Sequence, residues 1–176
     1  MGSRAALSAR LDPASVRLRR WTDADTPILE AANSPEMMAL LAGPEDDWQL
    51  HRRHERYLRG WDAGTPRMFS VRGSRGEAMG SVGWWESRFD GRDVYELGWV
   101  TLPEFQGRGV ASQAARLAVA DAIAHGDGRD LMACPPVENK ASNGVCAAAG
   151  FEMVASQETE FRGVAMLLNY WVRPAH

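Results

Sequence analysis

One short stretch of the chain combines residue types that suit the binding of an anion. After a strand-like run ending at Thr101, the sequence Gln106-Gly107-Arg108-Gly109-Val110-Ala111-Ser112 leads into an alanine-rich helix. The first N–H groups of a helix have no partner within it, and the helix dipole adds partial positive charge there. The two glycines let a ligand approach the backbone closely, and Arg108 adds a mobile positive charge. This order of strand, glycine loop and helix predicts a phosphate or pyrophosphate site.

The same stretch does not match two better-known phosphate loops. No Lys-Ser or Lys-Thr pair follows Gly109, as a P-loop requires, and the third glycine of the dinucleotide fingerprint is missing. A nucleotide-binding module would place a base- or ribose-reading acid after the next strand, whereas Asp130 precedes the strand that begins at Leu131. The loop therefore indicates an anion site without naming the ligand.

A second candidate for chemistry is Glu96, within the run Val94-Tyr95-Glu96-Leu97-Gly98-Trp99-Val100. A carboxylate among large apolar residues of a strand is expected to be half buried, and burial raises its pKa. A raised pKa suits a general base. The alternative is a structural carboxylate that pairs with an arginine of the neighbouring strand, because structural and catalytic carboxylates are perturbed alike.

Periodicity and turn signals predict the elements that position these residues. Strands are predicted at 16–21, 68–72, 78–87, 94–101, 131–134, 151–155 and 163–172. Helices are predicted at 23–32, 45–61, 110–125 and 139–150, with one further short helical segment from Ser34 to Leu41. The close spacing of the early strands favours antiparallel pairing, and the later elements favour a partly parallel sheet. The pattern predicts strands and helices mixed around one sheet.

Length and composition limit the classes of protein to consider. The chain has 176 residues, enough for one domain over 15–176 preceded by a predicted mobile arm over 1–14. A net charge of −3 argues against a nucleic-acid partner, and no apolar run reaches membrane-spanning length. Cys134 and Cys146 form neither a metal spacing nor a disulfide framework, so we expect reduced thiols, no metal and a cytoplasmic location.

Two motifs in the correct order resemble those of the GNAT superfamily of N-acetyltransferases. Gln106, Gly109 and Ala111 occupy the motif places of its Gln/Arg-x-x-Gly-x-Gly/Ala loop, and the strand around Glu96 resembles that of the branch containing the ribosomal-protein alanine N-acetyltransferases. The second motif of that branch resembles Asn139-Lys140-Ala141-Ser142. Further similarity is found at Leu18-Arg19-Arg20-Trp21, Asp23-Ala24-Asp25 and Gly150-Phe151, so that the resemblance covers about 16–173.

This resemblance implies a fold and an activity. The fold would be α/β (α+β), with a mixed, mostly antiparallel central sheet of six to seven strands flanked by helices. The activity would be acetyl transfer from acetyl-coenzyme A (acetyl-CoA) to a primary amine of a small molecule or peptide, by a monomer or homodimer without a metal. The alternative is a non-catalytic coenzyme A-binding regulator, which would need neither Glu96 nor Ser142.

The resemblance also implies roles for individual residues. The loop 106–112 would hold the pyrophosphate, and the backbone of Trp99, Val100 and Thr101 would pair with the pantetheine arm, with a bulge near Gly98. Asn139 would lie beside the pantetheine, although it also suits a helix N-cap. Ser142 would protonate the departing thiolate, since 144–151 contains no tyrosine for that role. Glu96 would act as the base, often through water, with Glu86 as the alternative.

Aromatic residues suggest where the acceptor would bind. Trp84, Trp85 and Glu86 are the candidates, although core packing is the commoner use of tryptophan. Trp84 and Trp85 are adjacent in a strand and point to opposite faces of the sheet, so only one of them can line an acceptor pocket. His51 and His54 are expected to be surface residues of the second long helix.

Overall fold

A computed structural model describes Asp12 and residues 15–176 of the chain. The predicted arm over 1–14 lies outside the described residues, apart from Asp12. The elements in chain order are β1 (Arg17–Arg20), α1 (Thr26–Ala32), α2 (Asp47–Ala63), β2 (Arg67–Arg72), β3 (Ala78–Phe89), β4 (Arg92–Thr101), α3 (Val110–His125), β5 (Leu131–Ala133), α4 (Lys140–Ala148), β6 (Glu152–Phe161) and β7 (Val164–Arg173). No helix in this described part is long and apolar enough to cross a membrane.

The strands form one seven-stranded sheet in the order β1-β2-β3-β4-β5-β7-β6. All neighbours are antiparallel except β4 and β5, which are parallel. The turn between β3 and β4 is Asp90-Gly91, both with positive φ (49° and 76°), as the twist of a two-residue hairpin requires. The predicted mixed and mostly antiparallel sheet is confirmed.

Helices cover both faces of the sheet. On one face α3 and α4 enclose the larger core, where Ala114, Ala115 and Ala118 are fully buried. Side chains this small let α3 approach the strands closely. On the other face α1 and α2 pack over Trp21 and Met68. The glycine loop 106–112 connects the end of β4 to the start of α3. Because the alanine face holds α3 against the sheet, it also fixes the position of this loop.

The predicted short helix at 34–41 is wrong, because residues 33–43 form a series of turns. The segment makes a helix-like bond from Met38 N–H to the Ser34 carbonyl, at 3.0 Å, but Ala42 then adopts a left-handed φ of 64°. Its ends are held by tertiary bonds instead. Asn33 donates to the Glu45 carbonyl and accepts from the Glu45 N–H, both at 2.8 Å.

The placement of His54 on the surface is also wrong. His54 is buried on α2, and its Nδ1 accepts the indole N–H of Trp21 at 3.1 Å. It lies three residues before the buried Tyr57, so it belongs to the inward face of the helix. The last two strands are confirmed in existence, but β6 extends to Phe161 rather than ending near Ala155.

A carboxylate on α3 links that helix to two strands. Asp121 accepts two hydrogen bonds from the guanidinium of Arg67 on β2, at 2.7 and 2.8 Å. It also accepts the indole N–H of Trp84 on β3 at 2.9 Å. Burial favours the neutral acid, but the bonds from Arg67 and Trp84 outweigh it and lower the pKa of Asp121. The stability from this lowered pKa is present above the ordinary aspartate pKa and is lost as the pH falls.

Asp121→Ala should therefore destabilise the fold by about 3 kcal/mol, because it leaves a largely buried guanidinium and an indole N–H without their acceptor. Urea unfolding at neutral pH measures this change. Asp93→Ala is the matched control, since Asp93 pairs with Arg88 on the exposed hairpin at 3.3 Å, where an ion pair contributes about 0–1 kcal/mol. Equal effects of the two substitutions would contradict the proposed role of Asp121.

Candidate active site

The loop between β4 and α3 has the backbone geometry of an anion cradle. Gly107 and Gly109 have φ values of 69° and 85°, in the left-handed region that favours glycine. Gly109 is the N-cap of α3, and no side chain caps the helix there. The N–H groups of the first turn, Val110 to Ser112, are therefore left for another acceptor. A phosphate fits this arrangement because the helix dipole favours negative charge at the same point.

Gln106 fixes the loop against the end of β4. Its side-chain amide donates to the Thr101 carbonyl at 3.0 Å and lies 3.4 Å from the sulfur of Met37. Gln106 thus joins the loop both to β4 and to the segment after α1. Arg108 is placed differently from the rest of the loop: it does not line the cleft described below, and its Nε–H is buried without a partner among the described residues.

The strands β4 and β5 separate immediately after Glu96. Their pairing consists of Tyr95 with Leu131 and Glu96 with Met132. From Leu97 to Thr101, β4 pairs with β3 and lines a cleft on its other side. Backbone groups along this part of β4 can therefore pair with an extended ligand.

The bulge expected near Gly98 is not found in the pairing of β3 with β4, which runs without a shift from Gly80–Thr101 to Phe89–Arg92. Gly98 serves another purpose. A Cβ atom built there would lie 2.5 Å from the Trp85 ring, so the absence of a side chain makes room for that indole. The separation of the strands therefore comes from the short β5 and not from a bulge against β3.

A single cleft of about 960 Å³ connects the loop, the separated strands and the start of α4. Thirteen of the residues predicted for the site line it, namely Trp85, Glu96, Trp99, Val100, Thr101, Gln106, Gly107, Gly109, Val110, Ala111, Ser112, Asn139 and Ser142. Among the described residues, no group of three or more His, Cys, Asp or Glu side chains could hold a metal. The structure thus brings together residues that are separated by up to about sixty positions in the chain.

Glu96 lies where β4 and β5 separate, half buried and facing the cleft. One carboxylate oxygen accepts the Ser87 hydroxyl at 3.0 Å. Burial raises the pKa of Glu96, and hydrogen bonds from Ser87 and Trp85 offset only part of that effect. No ion pair within the described part of the chain includes Glu96, so the alternative of an arginine partner on the neighbouring strand is not supported.

The start of α4 has two polar residues with separate tasks. Asn139 is the N-cap, and its Oδ1 accepts the backbone N–H of Ser142 at 3.0 Å. Ser142 also lines the cleft. Asn143, for which we predicted no role, joins the loop before α4 to β7. Its side-chain Nδ2–H donates to the Pro136 carbonyl at 2.9 Å, and its Oδ1 accepts the Trp171 indole N–H at 2.8 Å.

Two predicted acceptor residues lie elsewhere. Trp84 faces α3, where it is 1% exposed and bonded to Asp121, so it is a core residue. Glu86 lies on the exposed end of β3 outside the cleft and pairs with Arg129 at 3.2 Å. Trp85 is the tryptophan of the pair that lines the cleft, because adjacent residues of a strand face opposite sides.

A segment for which the sequence predicted no role in the site also lines the cleft. We call residues 34–44 the roof segment, since Met37, Leu40 and Leu41 line the cleft opposite the sheet. Arg162, at the tip of the β6–β7 hairpin, donates to the carbonyls of Leu41, Gly43 and Pro44 at 3.2, 2.7 and 3.1 Å. No local pattern signals this contact, because the partners are about 120 residues apart in the chain.

Both cysteines are free thiols. Cys134 is half buried and lines the cleft beside Glu96, and Cys146 is buried on α4. Burial raises the pKa of both thiols, that of Cys146 to about 12. Both are therefore protonated at neutral pH, and Cys134 does not compete as a nucleophile within the cleft.

Comparison with known proteins identifies the family of this chain. Residues 15–152 match the model of the acetyltransferase (GNAT) domain, which is most of the chain. The chain belongs to the GNAT acetyltransferase family. The resemblance seen in the two sequence motifs is thereby confirmed. No curated protein matches the chain.

Solved structures show the same GNAT fold at low identity. A spermidine N-acetyltransferase from Vibrio cholerae, in complex with CoA and spermine, is 19% identical over 92% of this chain and 96% of its own, with a TM-score of 0.76. A ribosomal-protein-S5-alanine acetyltransferase from Vibrio fischeri is 18% identical over 91% and 92%, with a TM-score of 0.71. A putative acetyltransferase from Salmonella typhimurium with its cofactor acetyl-CoA is 19% identical over 92% and 95%, with a TM-score of 0.73.

Glu96→Gln should stabilise the GNAT fold near neutral pH. Because the pKa of Glu96 is raised, the folded chain keeps this proton at pH values where the unfolded chain has lost it. The free energy of unfolding therefore falls as the pH rises from the ordinary glutamate pKa to the raised pKa of Glu96, by about 1.4 kcal/mol for each pH unit between the two. Glutamine removes this loss.

Melting temperatures of the wild type and of Glu96→Gln, measured between about pH 4 and pH 8, test this prediction. The variant should melt higher at the upper end, and the difference should vanish at the lower end. A variant that melts lower at every pH would instead identify the Glu96 carboxylate as a stabilising structural group.

Proposed function

We propose that this GNAT acetyltransferase transfers the acetyl group of acetyl-CoA to a primary amine in the cleft, with Glu96 as the base and Ser142 as the acid. The observation that carries the proposal is the shared cleft: the uncapped start of α3, the edge of β4 and the polar groups of Glu96 and Ser142 all line it. Coenzyme A matches these groups in the same order, since it carries a pyrophosphate for the start of α3, an amide-containing arm for the edge of β4 and a thiol for the polar groups.

The residues fit that cosubstrate on their own geometry. The N–H groups of Val110 to Ser112 and the left-handed glycines suit the pyrophosphate. Arg108 lies outside the lining of the cleft and contributes charge to the loop without facing the cleft. The edge of β4 at Trp99 to Thr101 offers backbone groups to the amides of the pantetheine arm.

Glu96 would remove the proton that the attacking amine must lose. An amine attacks a thioester carbonyl only with a free lone pair, so its ammonium form has to be deprotonated. The raised pKa of Glu96 makes it a stronger base than an exposed carboxylate. A new C–N bond replaces the C–S bond, and the proton goes to Glu96 directly or through water.

Ser142 would donate its hydroxyl proton to the thiolate that leaves while it regains a proton from solvent water. Its backbone N–H is fixed by Asn139, which holds the hydroxyl at the start of α4 facing the cleft. The positive end of the α4 dipole lies at the same place and favours the developing negative charge. The two residues therefore assist opposite ends of the same substitution.

The test of this function combines binding and turnover on the purified chain. Coenzyme A should raise the melting temperature, and acetyl-CoA with an amine should release free thiol. Glu96→Gln should still be stabilised by coenzyme A but turn over about 10²–10⁴-fold more slowly. Glu86→Gln should keep wild-type turnover, because Glu86 lies outside the cleft.

The pH dependence of turnover tests whether Glu96 acts in its ionised form. Turnover at saturating cosubstrate should rise as the pH passes through the raised pKa of Glu96, because only the ionised form accepts a proton. Slow turnover of Glu86→Gln with a fully active Glu96→Gln would transfer the role to Glu86. Binding of coenzyme A without thiol release from any amine would favour the non-catalytic regulator.

Ser142→Ala should lower kcat by about 10²-fold with little change in the affinity for coenzyme A. The fold should be unaffected, since the Asn139 cap uses the backbone N–H of residue 142, which alanine retains. Asn139→Ala is the contrasting variant, because it removes the cap and about 1 kcal/mol of stability. An unchanged rate for Ser142→Ala, under conditions where chemistry limits turnover, would remove its hydroxyl from the mechanism.

A further inference from the structure

The cleft has an exposed apolar mouth. Leu40 and Leu41 of the roof segment are each 36% exposed, and Phe161 of the β6–β7 hairpin is 39% exposed. All three line the cleft. Large apolar side chains that remain accessible around a concave site mark a surface that a ligand covers.

The wall behind this mouth is also apolar. Tyr57 comes from α2, Met68 from β2, Trp85 from β3 and Met166 from β7, and all of them line the cleft. Thioether side chains adapt to the shape of an apolar guest, and aromatic rings offer it flat surfaces. The apolar lining thus continues inward from the mouth toward Glu96, which pairs with Trp85 across β3 and β4.

Charge is scarce in the described lining of the cleft. The charged side chains there are Glu36, Arg53 and Glu96. Arg53 forms an ion pair with Glu45, so its charge is already balanced. Glu36 remains at the mouth and Glu96 at the centre. This arrangement suits one ammonium group that enters past Glu36 and loses its proton at Glu96, and it offers little to a second or third cation.

We propose that the acceptor is a small primary amine with a single ammonium group and an apolar body. This inference rests on the acetyl transfer proposed above and names the class of amine that the site takes. The amine nitrogen reaches Glu96, while the hydrocarbon part contacts the roof segment, Trp85 and Phe161. A polyamine would have to bury further charge against apolar walls, which is costly without partner carboxylates.

The bonds beside the mouth favour a small molecule over the terminus of a folded protein. Arg162 holds the hairpin tip to the roof segment through three carbonyls, which fixes the two segments that carry Leu40, Leu41 and Phe161. Arg162 has a left-handed φ of 52° at a turn position where glycine or asparagine is usual, so the turn carries an arginine despite a backbone cost. Its side-chain contacts account for that choice.

The test compares three amines of nearly equal size: hexylamine, aminopentanol and cadaverine, which end in a methyl, a hydroxyl and a second ammonium. A short peptide beginning with alanine is the fourth acceptor. Free-thiol release and mass spectrometry of the product give kcat/KM for each on the full-length chain. Hexylamine should exceed aminopentanol and cadaverine by about tenfold or more, because a polar end group loses its hydration in an apolar pocket.

A substitution at the mouth tests whether its apolar side chains cause the preference for hexylamine over cadaverine. Leu40→Asp places a carboxylate at the exposed mouth and should reduce the ratio of hexylamine to cadaverine turnover by about tenfold. Leu167→Asp is the matched control, since Leu167 on β7 is 53% exposed and does not line the cleft, and the ratio should not change.

The outcomes separate this inference from the function on which it rests. Preference for cadaverine or for the peptide, with thiol release intact, would overturn the apolar-amine class while leaving acetyl transfer in place. A ratio that responds equally to Leu40→Asp and Leu167→Asp would also overturn it. Absence of stabilisation by coenzyme A would instead remove the proposed function itself.

Discussion

The separation of β4 from β5 after Glu96 is the constraint on which the site depends. These two parallel strands are paired only through Tyr95 with Leu131 and Glu96 with Met132. Beyond that point β4 leads to the glycine loop and α3, while β5 leads to α4. The starts of the two helices therefore lie on either side of one opening. A fully paired β4 would have no free edge for an extended ligand and no space for a cleft.

The packing of α3 against the sheet keeps that opening in place. The alanine face of α3 lies close against the sheet, and Asp121 bonds the helix to β2 and β3 through Arg67 and Trp84. The first turn of α3 consequently has a fixed position, although no side chain caps it. The stability of the core and the order of the anion cradle are thus linked through one helix: its buried side packs, and its free end is available for binding.

Sequence predicted the parts of the site that are local in the chain. The loop 106–112, the cap at Asn139 and the placement of Glu96 in a strand depend on turn chemistry and periodicity over a few residues. Strand alternation also indicated that Trp84 and Trp85 face opposite sides. It did not indicate which side was the cleft, because that depends on where the helices pack.

The features that sequence did not predict are tertiary in origin. The roof segment carries the signals of a helix, Pro35 at its start and an apolar side, but bonds from Asn33 and Arg162 hold it in turns. His54 was predicted at the surface because it is polar, but it is buried because Trp21 provides a hydrogen-bond partner for its ring. Burial of Trp84, and the exclusion of Glu86 from the cleft, likewise follow from the sheet as a whole.

The lining of the cleft is built in two ways that differ in how freely the sequence can change. The part proposed to hold the acetyl donor is formed by backbone N–H groups and glycines, which few substitutions can replace. The part proposed for the acceptor is bounded by two surface segments, far apart in the chain, that meet through the side chain of one arginine. Descendants of this sequence can therefore change the acceptor they bind by altering a loop and a hairpin tip, while the proposed donor site stays as it is.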